Sequence, residues 1–159
     1  IDDILNMTID NAISFFNEHE QTKIKNKLQP LQDVGLGYVT LGQSSSTLSG
    51  GEAQRIKLAT FLGKGNTKET ALFVFDEPTT GLHFHDIKKL LKSLNALIEK
   101  GHSIIVVEHN LELIKCADHI IDLGQEGGEN GGQLMAFGTP EEVALNKDSF
   151  TGNYLKDKL

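Results

Sequence analysis

One short stretch, from Thr47 to Thr60, constrains this chain most: it reads T-L-S-G-G-E-A-Q-R-I-K-L-A-T. Ser49 followed by Glu52, ahead of apolar residues at helical spacing, predicts a capping box at the start of a helix. Gly50 and Gly51 leave the first turn without side chains. Its N–H groups and the positive end of the helix dipole can therefore meet an anion such as phosphate. The same pattern also fits a well-capped surface helix that binds nothing.

Composition indicates a globular protein and excludes several functional classes. The 159 residues are 38% hydrophobic and 23% charged, which suits one domain with a buried core. No apolar run reaches the roughly 20 residues of a membrane span, and no signal-peptide pattern begins the chain. Cys116 is the only cysteine, which excludes a disulfide framework and a cysteine-based zinc site.

The net charge of −7 argues against a general binder of nucleic-acid backbones. A local basic patch is still compatible with that charge. Lys23, Lys25 and Lys27 form either such a contact with nucleic acid or a solvated helix face.

The N-terminal part of the chain has helical periodicity. Residues 1–28 are expected to be helical, with a polar break at His19 to Thr22. Pro30 is expected to start or kink a further short helix. The helix that follows the capping box is expected at about Gly50–Leu62.

Strand patterns alternate with helical patterns in the second part of the chain. Two short apolar runs rich in β-forming residues are typical of strands buried on both faces. Helical segments separate these strands and a third one, which predicts parallel βαβ units and an α/β sheet. The expected elements are a strand at Ala71–Phe75, a helix at Asp86–Glu99, a strand at Ser103–Val107, a short helix at about Leu111–Cys116 and a strand at about His119–Leu123.

The C-terminal tail is predicted to have shorter elements. A glycine-rich turn is expected at Gly124–Gly132 and an edge strand at Gln133–Phe137. The residues from Thr139 to Glu142 have the order of a capped helix start with proline at its first position. A last short helix is expected within Phe150–Leu159.

Ionisable residues directly follow two of the predicted strands. Asp76 and Glu77 follow the first strand, and Glu108 and His109 follow the second. Ligands of open parallel sheets bind at the carboxyl ends of the strands, so these side chains indicate a candidate site. Structural roles remain as alternatives, because two acids can cap the turn after a strand and a single histidine there can be structural. The connector Gly63 to Thr70 contains Gly-Lys, but neither it nor the rest of the chain has the spacing of a phosphate-binding P-loop.

The segment L-S-G-G-E, from Leu48 to Glu52, resembles the signature motif of the ATP-binding-cassette (ABC) ATPases at every position. This resemblance implies that Ser49, Gly50, Gly51 and Glu52 bind nucleotide. ABC sites are composite: the signature of one module closes over ATP that is held by the Walker A loop of another module.

An apolar strand followed by Asp76-Glu77 resembles the Walker B motif of the same family. The resemblance implies that Asp76 holds Mg²⁺, directly or through water, and that Glu77 is the base that polarises the attacking water. His109 matches the position of the switch histidine, which implies that it senses the γ-phosphate and helps to hold the water. These three residues and the signature loop would serve different ATP molecules.

The segment D-E-P-T-T-G-L-H-F, from Asp76 to Phe84, is similar to one branch of these ATPases, the UvrA family of the UvrABC excinuclease. The resemblance covers nearly the whole chain and is weakest at residues 17–33 and after Ala144. Further matching segments are V-G-L-G-Y at Val34–Tyr38, L-G-Q at Leu41–Gln43, V-E-H-N at Val107–Asn110, I-I-D-L-G at Ile120–Gly124 and F-G-T-P-E-E-V-A at Phe137–Ala144.

The UvrA resemblance implies a function, cofactors and partners. The family is the cytoplasmic damage-recognition ATPase of bacterial nucleotide excision repair, with no membrane association. Each chain has two ABC modules, uses ATP and Mg²⁺, acts as a homodimer and hands damaged DNA to UvrB. By resemblance this chain is the C-terminal part of the second module. The Walker A loop, the Q-loop and the cysteine zinc module would lie upstream of Ile1, and a start at isoleucine leads us to expect a part of something longer.

The resulting prediction is an α/β fold, a partial ABC-type module with a mostly parallel sheet flanked by helices and without its Walker A half. Residues 1–62 would be a helical signature subdomain, and residues 63–159 the C-terminal half of the ATPase core. The isolated chain is expected to hydrolyse no ATP and to self-associate through the unpaired edge of the strand at Ser103–Val107. Alternatives are a UvrA-like paralogue with another client, another ABC ATPase such as a transporter component, and a non-catalytic half-module. The T-T-G-L-H-F segment speaks against the transporter.

Overall fold

The computed structural model describes residues 1–63, 70–124 and 131–159, which form two compact units, Ile1–Val107 and Glu108–Leu159. Each unit has its own two-stranded sheet among the described residues. The expected domain division between residues 62 and 63 stays a prediction. Most of the predicted connector at Gly63–Thr70 and of the predicted turn at Gly124–Gly132 lies outside the described residues.

The first unit begins with helices that build its N-terminal core. They are α1 (Asp2–Leu5), α2 (Ile9–Glu18) and α3 (Thr22–Asp33), and a 3₁₀ turn at Ser45–Thr47 leads to α4 (Gly50–Gly63). The first turn of α2 is capped by Thr8, whose Oγ1 accepts a hydrogen bond from the N–H of Asn11 at 3.2 Å. The expected polar break between helices is confirmed, because α2 ends at Glu18 and α3 begins at Thr22.

Pro30 does not start a helix, so of the two expectations only a kink stays a prediction. It lies inside α3, where it removes one backbone donor from the helix. The helix continues past it: Val34 N–H donates to the Pro30 carbonyl at 3.2 Å. The side chain of Gln29 donates to Gln32 at 2.8 Å and to Asp33 at 2.9 Å, and so supports the last turn.

Two parallel strands, β1 (Leu72–Asp76) and β2 (Ser103–Val107), form the sheet of the first unit, joined by helix α5 (Phe84–Glu99). This βαβ unit confirms the predicted α/β class. The apolar stripe of α5 faces the core, where Ile87, Leu90, Leu94 and Leu97 are buried. The Phe61 ring of α4 packs edge-on against the Phe73 ring of β1, with 4.9 Å between centroids.

The prediction that these strands are buried on both faces is wrong for this chain. Phe75 is buried, but Leu72 and Val74 are 61% and 64% exposed. On β2, Ile105 pairs with Val74 and Val107 pairs with Asp76, and these two apolar residues are each 51% exposed. Within the described part of this unit, packing covers one face of the sheet and leaves an apolar face open.

The second unit is a β-hairpin packed with short helices. Its elements are α6 (Leu111–Ile114), β3 (Ile120–Gly124), β4 (Gln133–Gly138), α7 (Pro140–Leu145) and α8 (Phe150–Leu155). The predicted third strand is present, but it pairs antiparallel with β4, with Ile121 opposite Phe137. The core is formed by Ile120, Ala136, Val143, Ala144 and Leu155.

The predicted capped start of α7 is confirmed. The Thr139 N–H donates to the Glu142 carboxylate at 2.9 Å, and the Glu142 N–H donates to Thr139 Oγ1 at 3.3 Å.

Among the helices that the structure describes, none has the length and apolar character required to cross a bilayer.

Candidate nucleotide site

Helix α4 begins with the predicted capping box. The Ser49 N–H donates to Glu52 Oε2 at 2.7 Å, and the Glu52 N–H donates to Ser49 Oγ at 3.2 Å. Two backbone donors of the helix start are thereby paired. Within the described residues, the N–H groups of Gly50 and Gly51 make no hydrogen bond to the protein. These two donors are the ones available to an anion.

The two glycines have different surroundings. A Cβ added to Gly50 would meet no atom within 4 Å, so this side of the loop is open. A Cβ on the buried Gly51 would lie 3.3 Å from the Thr80 carbonyl oxygen and 3.7 Å from that of Glu77. Gly50 therefore lets a ligand approach, whereas Gly51 lets the helix start lie close to the turn that follows β1.

That turn carries the two predicted acidic residues. Asp76 is the last residue of β1, and its N–H donates to Gln54 Oε1 of α4 at 3.3 Å. The Glu77 N–H donates to the Val107 carbonyl of β2 at 2.8 Å. Both acidic residues are exposed. The signature loop and the acidic pair thus lie in the same unit, joined through α4.

Glu77 has an unusual backbone conformation for a residue with a side chain. Its φ is +45°, in the left-handed region that favours glycine. Strained conformations of this kind cluster at functional sites and persist only where the surroundings enforce them. Here, Thr80 N–H donates to the Glu77 carbonyl at 3.1 Å, and Thr80 Oγ1 donates to Glu77 Oε2 at 3.4 Å. The turn fixes both the backbone and the carboxylate of Glu77.

His109 belongs to the second unit, where it lies in the turn between β2 and α6. The Glu108 carboxylate accepts from the N–H groups of His109 at 2.8 Å and Asn110 at 3.0 Å. Asn110 caps α6 by accepting from the Glu112 N–H at 2.9 Å. The Glu108 carboxylate therefore fixes the backbone of this turn. His109, whose backbone N–H is held in this way, is exposed.

Glu52 makes a second contact that sequence reasoning missed. Tyr38 donates its hydroxyl to Glu52 Oε1 at 2.6 Å. This hydrogen bond, followed by that from the Ser49 N–H, lowers the pKa of Glu52 below its ordinary value. Partial burial, and then the Glu52 carboxylate, raise the pKa of Tyr38. At neutral pH the signature loop therefore carries a negative charge that is already hydrogen-bonded to the protein.

Arg55 is the other residue that the sequence analysis passed over. It is buried on the core face of α4 together with Gly51, Leu58 and Ala59. Arg55 lies four residues after Gly51 and three before Leu58, so this spacing places a charged residue on an apolar helix face. That mismatch in the sequence could have identified Arg55 as a residue with a specific role.

The site residues fit a nucleotide better than they fit a tightly held metal. The open Gly50 and the two available N–H groups suit a phosphate oxygen. Among the described residues, no three His, Cys, Asp or Glu side chains are grouped as metal ligands. Asp76 on its own is compatible with Mg²⁺, which often takes one or two carboxylates and retains several waters.

Comparison with known proteins finds similar sequences along the whole chain. The chain is 59% identical over all 159 residues to UvrABC system protein A of Clostridium acetobutylicum, 60% to that of Aquifex aeolicus and 58% to that of Staphylococcus epidermidis. It spans 17%, 17% and 16% of these proteins, respectively. No protein-family model matches the chain.

Solved structures agree with this comparison. The crystal structure of UvrA2 from Deinococcus radiodurans aligns with a TM-score of 0.82 and 44% identity over 99% of the chain and 19% of that protein. An ATP-bound bacterial Atm1-family ABC exporter aligns over 98% of the chain and 26% of its own, with a TM-score of 0.55 and 22% identity, a likeness of fold only. The expected partial ABC fold is confirmed. The chain belongs to the UvrA family, and it spans 16–17% of the length of these curated members.

Proposed function

We propose that this chain is the C-terminal part of the second ABC module of an ATP-hydrolysing protein that recognises DNA damage in bacterial nucleotide excision repair. The observation that carries the proposal is the match to UvrABC system protein A over all 159 residues at 58–60% identity. Because the chain spans about one sixth of those proteins, the activity belongs to a complete protein that contains this segment.

The residues divide into two groups that serve different ATP molecules. Ser49, Gly50, Gly51 and Glu52 form the signature loop, and the N–H groups of the two glycines contact phosphate. Asp76 holds Mg²⁺, which when bound neutralises developing charge on the phosphates. Glu77 accepts a proton from the attacking water, and its carboxylate is already oriented by Thr80 at 3.4 Å.

His109 is the third residue proposed for this reaction. Its ring contacts the γ-phosphate and orients the attacking water, and Glu108 holds its backbone by accepting from the His109 N–H at 2.8 Å. The phosphate-cradling loop that would complete either site is not among the motifs of this chain. The 159-residue chain alone is therefore expected to have no specific Mg²⁺-dependent ATPase activity.

The partners follow from the same proposal. The complete protein works as a cytoplasmic homodimer, binds damaged DNA and passes it to UvrB, and any zinc is held by cysteines outside this segment. The net charge of −7 is consistent with most DNA contacts lying elsewhere in the protein.

The catalytic part of the proposal is tested by Glu77→Gln in the complete protein. Loss of the general base is expected to lower kcat by about 10²–10⁴-fold, with ATP binding retained. Glu99→Gln is the matched control, because it also removes one exposed carboxylate from the same unit. Steady-state turnover and equilibrium ATP binding are measured. If Glu77→Gln left turnover unchanged, the non-catalytic half-module would be the better description.

A paralogue with another client is the second candidate, since a UvrA2 structure matches with a TM-score of 0.82. The higher identity to UvrABC system protein A, 59% against 44%, favours the repair protein. Expression of the complete protein in a strain that lacks UvrA separates the two. Restored survival after ultraviolet irradiation supports the repair protein, and failure with intact ATPase activity supports the paralogue.

A further inference from the structure

The only arginine of this chain lies in the protein interior. Arg55 is 1% exposed, on a helix whose neighbouring cation, Lys57, is exposed. Burial of a guanidinium group is costly unless its donors are hydrogen-bonded. The contacts of Arg55 therefore show what this position does in the folded protein.

On one side, Arg55 binds the turn that follows β1. Its Nη1 donates to the carbonyl of Pro78 at 2.7 Å and to that of Thr80 at 3.4 Å. Hydrogen bonds from a charged donor are stronger than neutral ones. Both acceptors lie within three residues of Glu77, so the guanidinium holds the backbone that carries the proposed catalytic base.

On the other side, Arg55 reaches the signature loop through one hydroxyl. Its Nη2 donates to Tyr38 Oη at 3.5 Å, and Tyr38 donates in turn to Glu52 Oε1 at 2.6 Å. The other oxygen of Glu52 accepts from the Ser49 N–H at 2.7 Å. Ser49, Glu52, Tyr38, Arg55 and the carbonyls of Pro78 and Thr80 thus form one connected set, here called the Arg55 relay.

We infer that Arg55 is a positioning residue that locks the signature loop to the turn carrying Glu77, so that contact with ATP at the loop of one composite site orients the catalytic carboxylate of the other. The inference rests on the proposed function, in which the loop and Glu77 serve different ATP molecules. The relay ends at the carboxylate itself, because Thr80 Oγ1 donates to Glu77 Oε2 at 3.4 Å.

The planar geometry of the guanidinium fixes the relative positions of the groups that it links. Its planar fork serves Tyr38 on one nitrogen and the two carbonyls on another. Its Nε is buried without a hydrogen-bond partner among the described residues, so no alternative partner competes at the stem. A lysine retains the charge but cannot present two separate donors in a fixed plane.

The first test measures hydrogen exchange in the nucleotide-free complete protein. Arg55→Lys is expected to raise amide exchange in the segment Glu77–Leu82 about fivefold, because the turn loses its fixed donor. Tyr38→Phe removes only the relay hydroxyl of a half-exposed side chain, so it is expected to raise exchange at the signature loop. Lys57→Gln, which removes an exposed cation from the same helix, is the control and is expected to change neither segment.

The second test separates positioning from mere stabilisation. In the complete protein, Arg55→Lys and Tyr38→Phe are expected to lower kcat about tenfold with KM for ATP changed less than about twofold, since a small misplacement of a catalytic group affects the chemical step. A purely structural role predicts a lower melting temperature with unchanged kcat per folded molecule. That outcome, or unchanged exchange in Glu77–Leu82 with Arg55→Lys, would overturn the inference.

The failure of this inference is distinguishable from failure of the proposed function. If Glu77→Gln abolishes turnover while both relay variants keep wild-type kcat, only the positioning role of Arg55 is wrong. If Glu77→Gln keeps its turnover, the catalytic proposal itself fails. In that second case the exchange experiment still reports whether Arg55 holds the turn.

Discussion

At the scale of single residues, Glu52 has two tasks that depend on its charge. One carboxylate oxygen closes the capping box with Ser49, and the other accepts the Tyr38 hydroxyl at 2.6 Å. Both hydrogen bonds favour the ionised form, which is why the pKa of Glu52 is lowered. The two hydrogen bonds to the carboxylate, one within the capping box and one to Tyr38, are therefore weakened together when this group takes up a proton.

This arrangement predicts a pH-dependent stability difference between the wild type and Glu52→Gln. A carboxyl with a lowered folded pKa stabilises fully above its unfolded pKa, and that contribution disappears as the pH falls through the folded value. Thermal unfolding followed by circular dichroism should therefore show the wild type melting higher than Glu52→Gln at pH 7. The gap should shrink as the pH drops below about 4.3, the ordinary value for glutamate. Glu99→Gln controls for the loss of one surface charge, and a gap independent of pH would contradict the prediction.

At the scale of helices and strands, the features predicted correctly are those set by neighbouring residues. The capping boxes at Ser49 and Thr139 need only a hydroxyl and an acid three residues apart, so the sequence contains all of their chemistry. The positions of Asp76 and Glu77 at the end of a strand follow equally directly from an apolar run. Local patterns were therefore sufficient to predict the helix start at Ser49 and the strand end at Asp76.

Features that depend on distant parts of the chain could not be read in this way. Pro30 remains helical because α3 packs against α2 and its last turn is braced by side chains. The pairing of β3 with β4 depends on a partner strand, and an apolar run fits parallel and antiparallel sheets equally well. The role of Arg55 depends on carbonyls 23 and 25 residues away.

One element-scale prediction concerns the way α8 is attached within the second unit. Asp122 of β3 accepts from Ser149 Oγ at 2.5 Å and from Thr151 Oγ1 at 2.8 Å, and the buried Ser149 caps α8 through the Gly152 N–H. Asp122→Ala leaves these hydroxyls without their acceptor, so we expect a loss of about 1–3 kcal/mol of stability.

Urea unfolding of the chain measures this change as a shift in midpoint. Asp118→Ala is the matched control, because it removes an exposed aspartate from the same unit. Equal midpoints for the two variants would show that the attachment of α8 does not depend on Asp122.

At the scale of the whole molecule, each unit has one sheet face whose apolar residues are exposed within the described parts of the chain. In the first unit the exposed residues are Leu72, Val74, Ile105 and Val107, and in the second they are Ile121, Leu123, Leu134 and Phe137. Apolar surface of this kind, together with an unpaired strand edge, favours association.

We therefore expect the 17.4 kDa chain on its own to self-associate as its concentration rises. Sedimentation velocity over a range of concentrations measures this directly. Combining Val74→Thr with Ile105→Thr keeps β-branched side chains while making the face polar, and it should shift the chain toward monomer. Lys92→Gln, which removes an exposed cation from α5, controls for a general change of surface charge. A wild-type chain that stays monomeric at about 100 μM would contradict the prediction, since exposed apolar faces associate at such concentrations.

Arg55 gives one more consequence, for proteolysis. A protease that cuts only after arginine has a single possible cleavage point in this sequence, and it lies in the middle of α4 on a buried side chain. Cleavage requires that stretch of helix to unfold locally, and its rate then follows the population of opened molecules when reclosing is fast. The rate of cleavage after Arg55, the residue that links α4 to the turn after β1, therefore measures how often α4 unfolds locally.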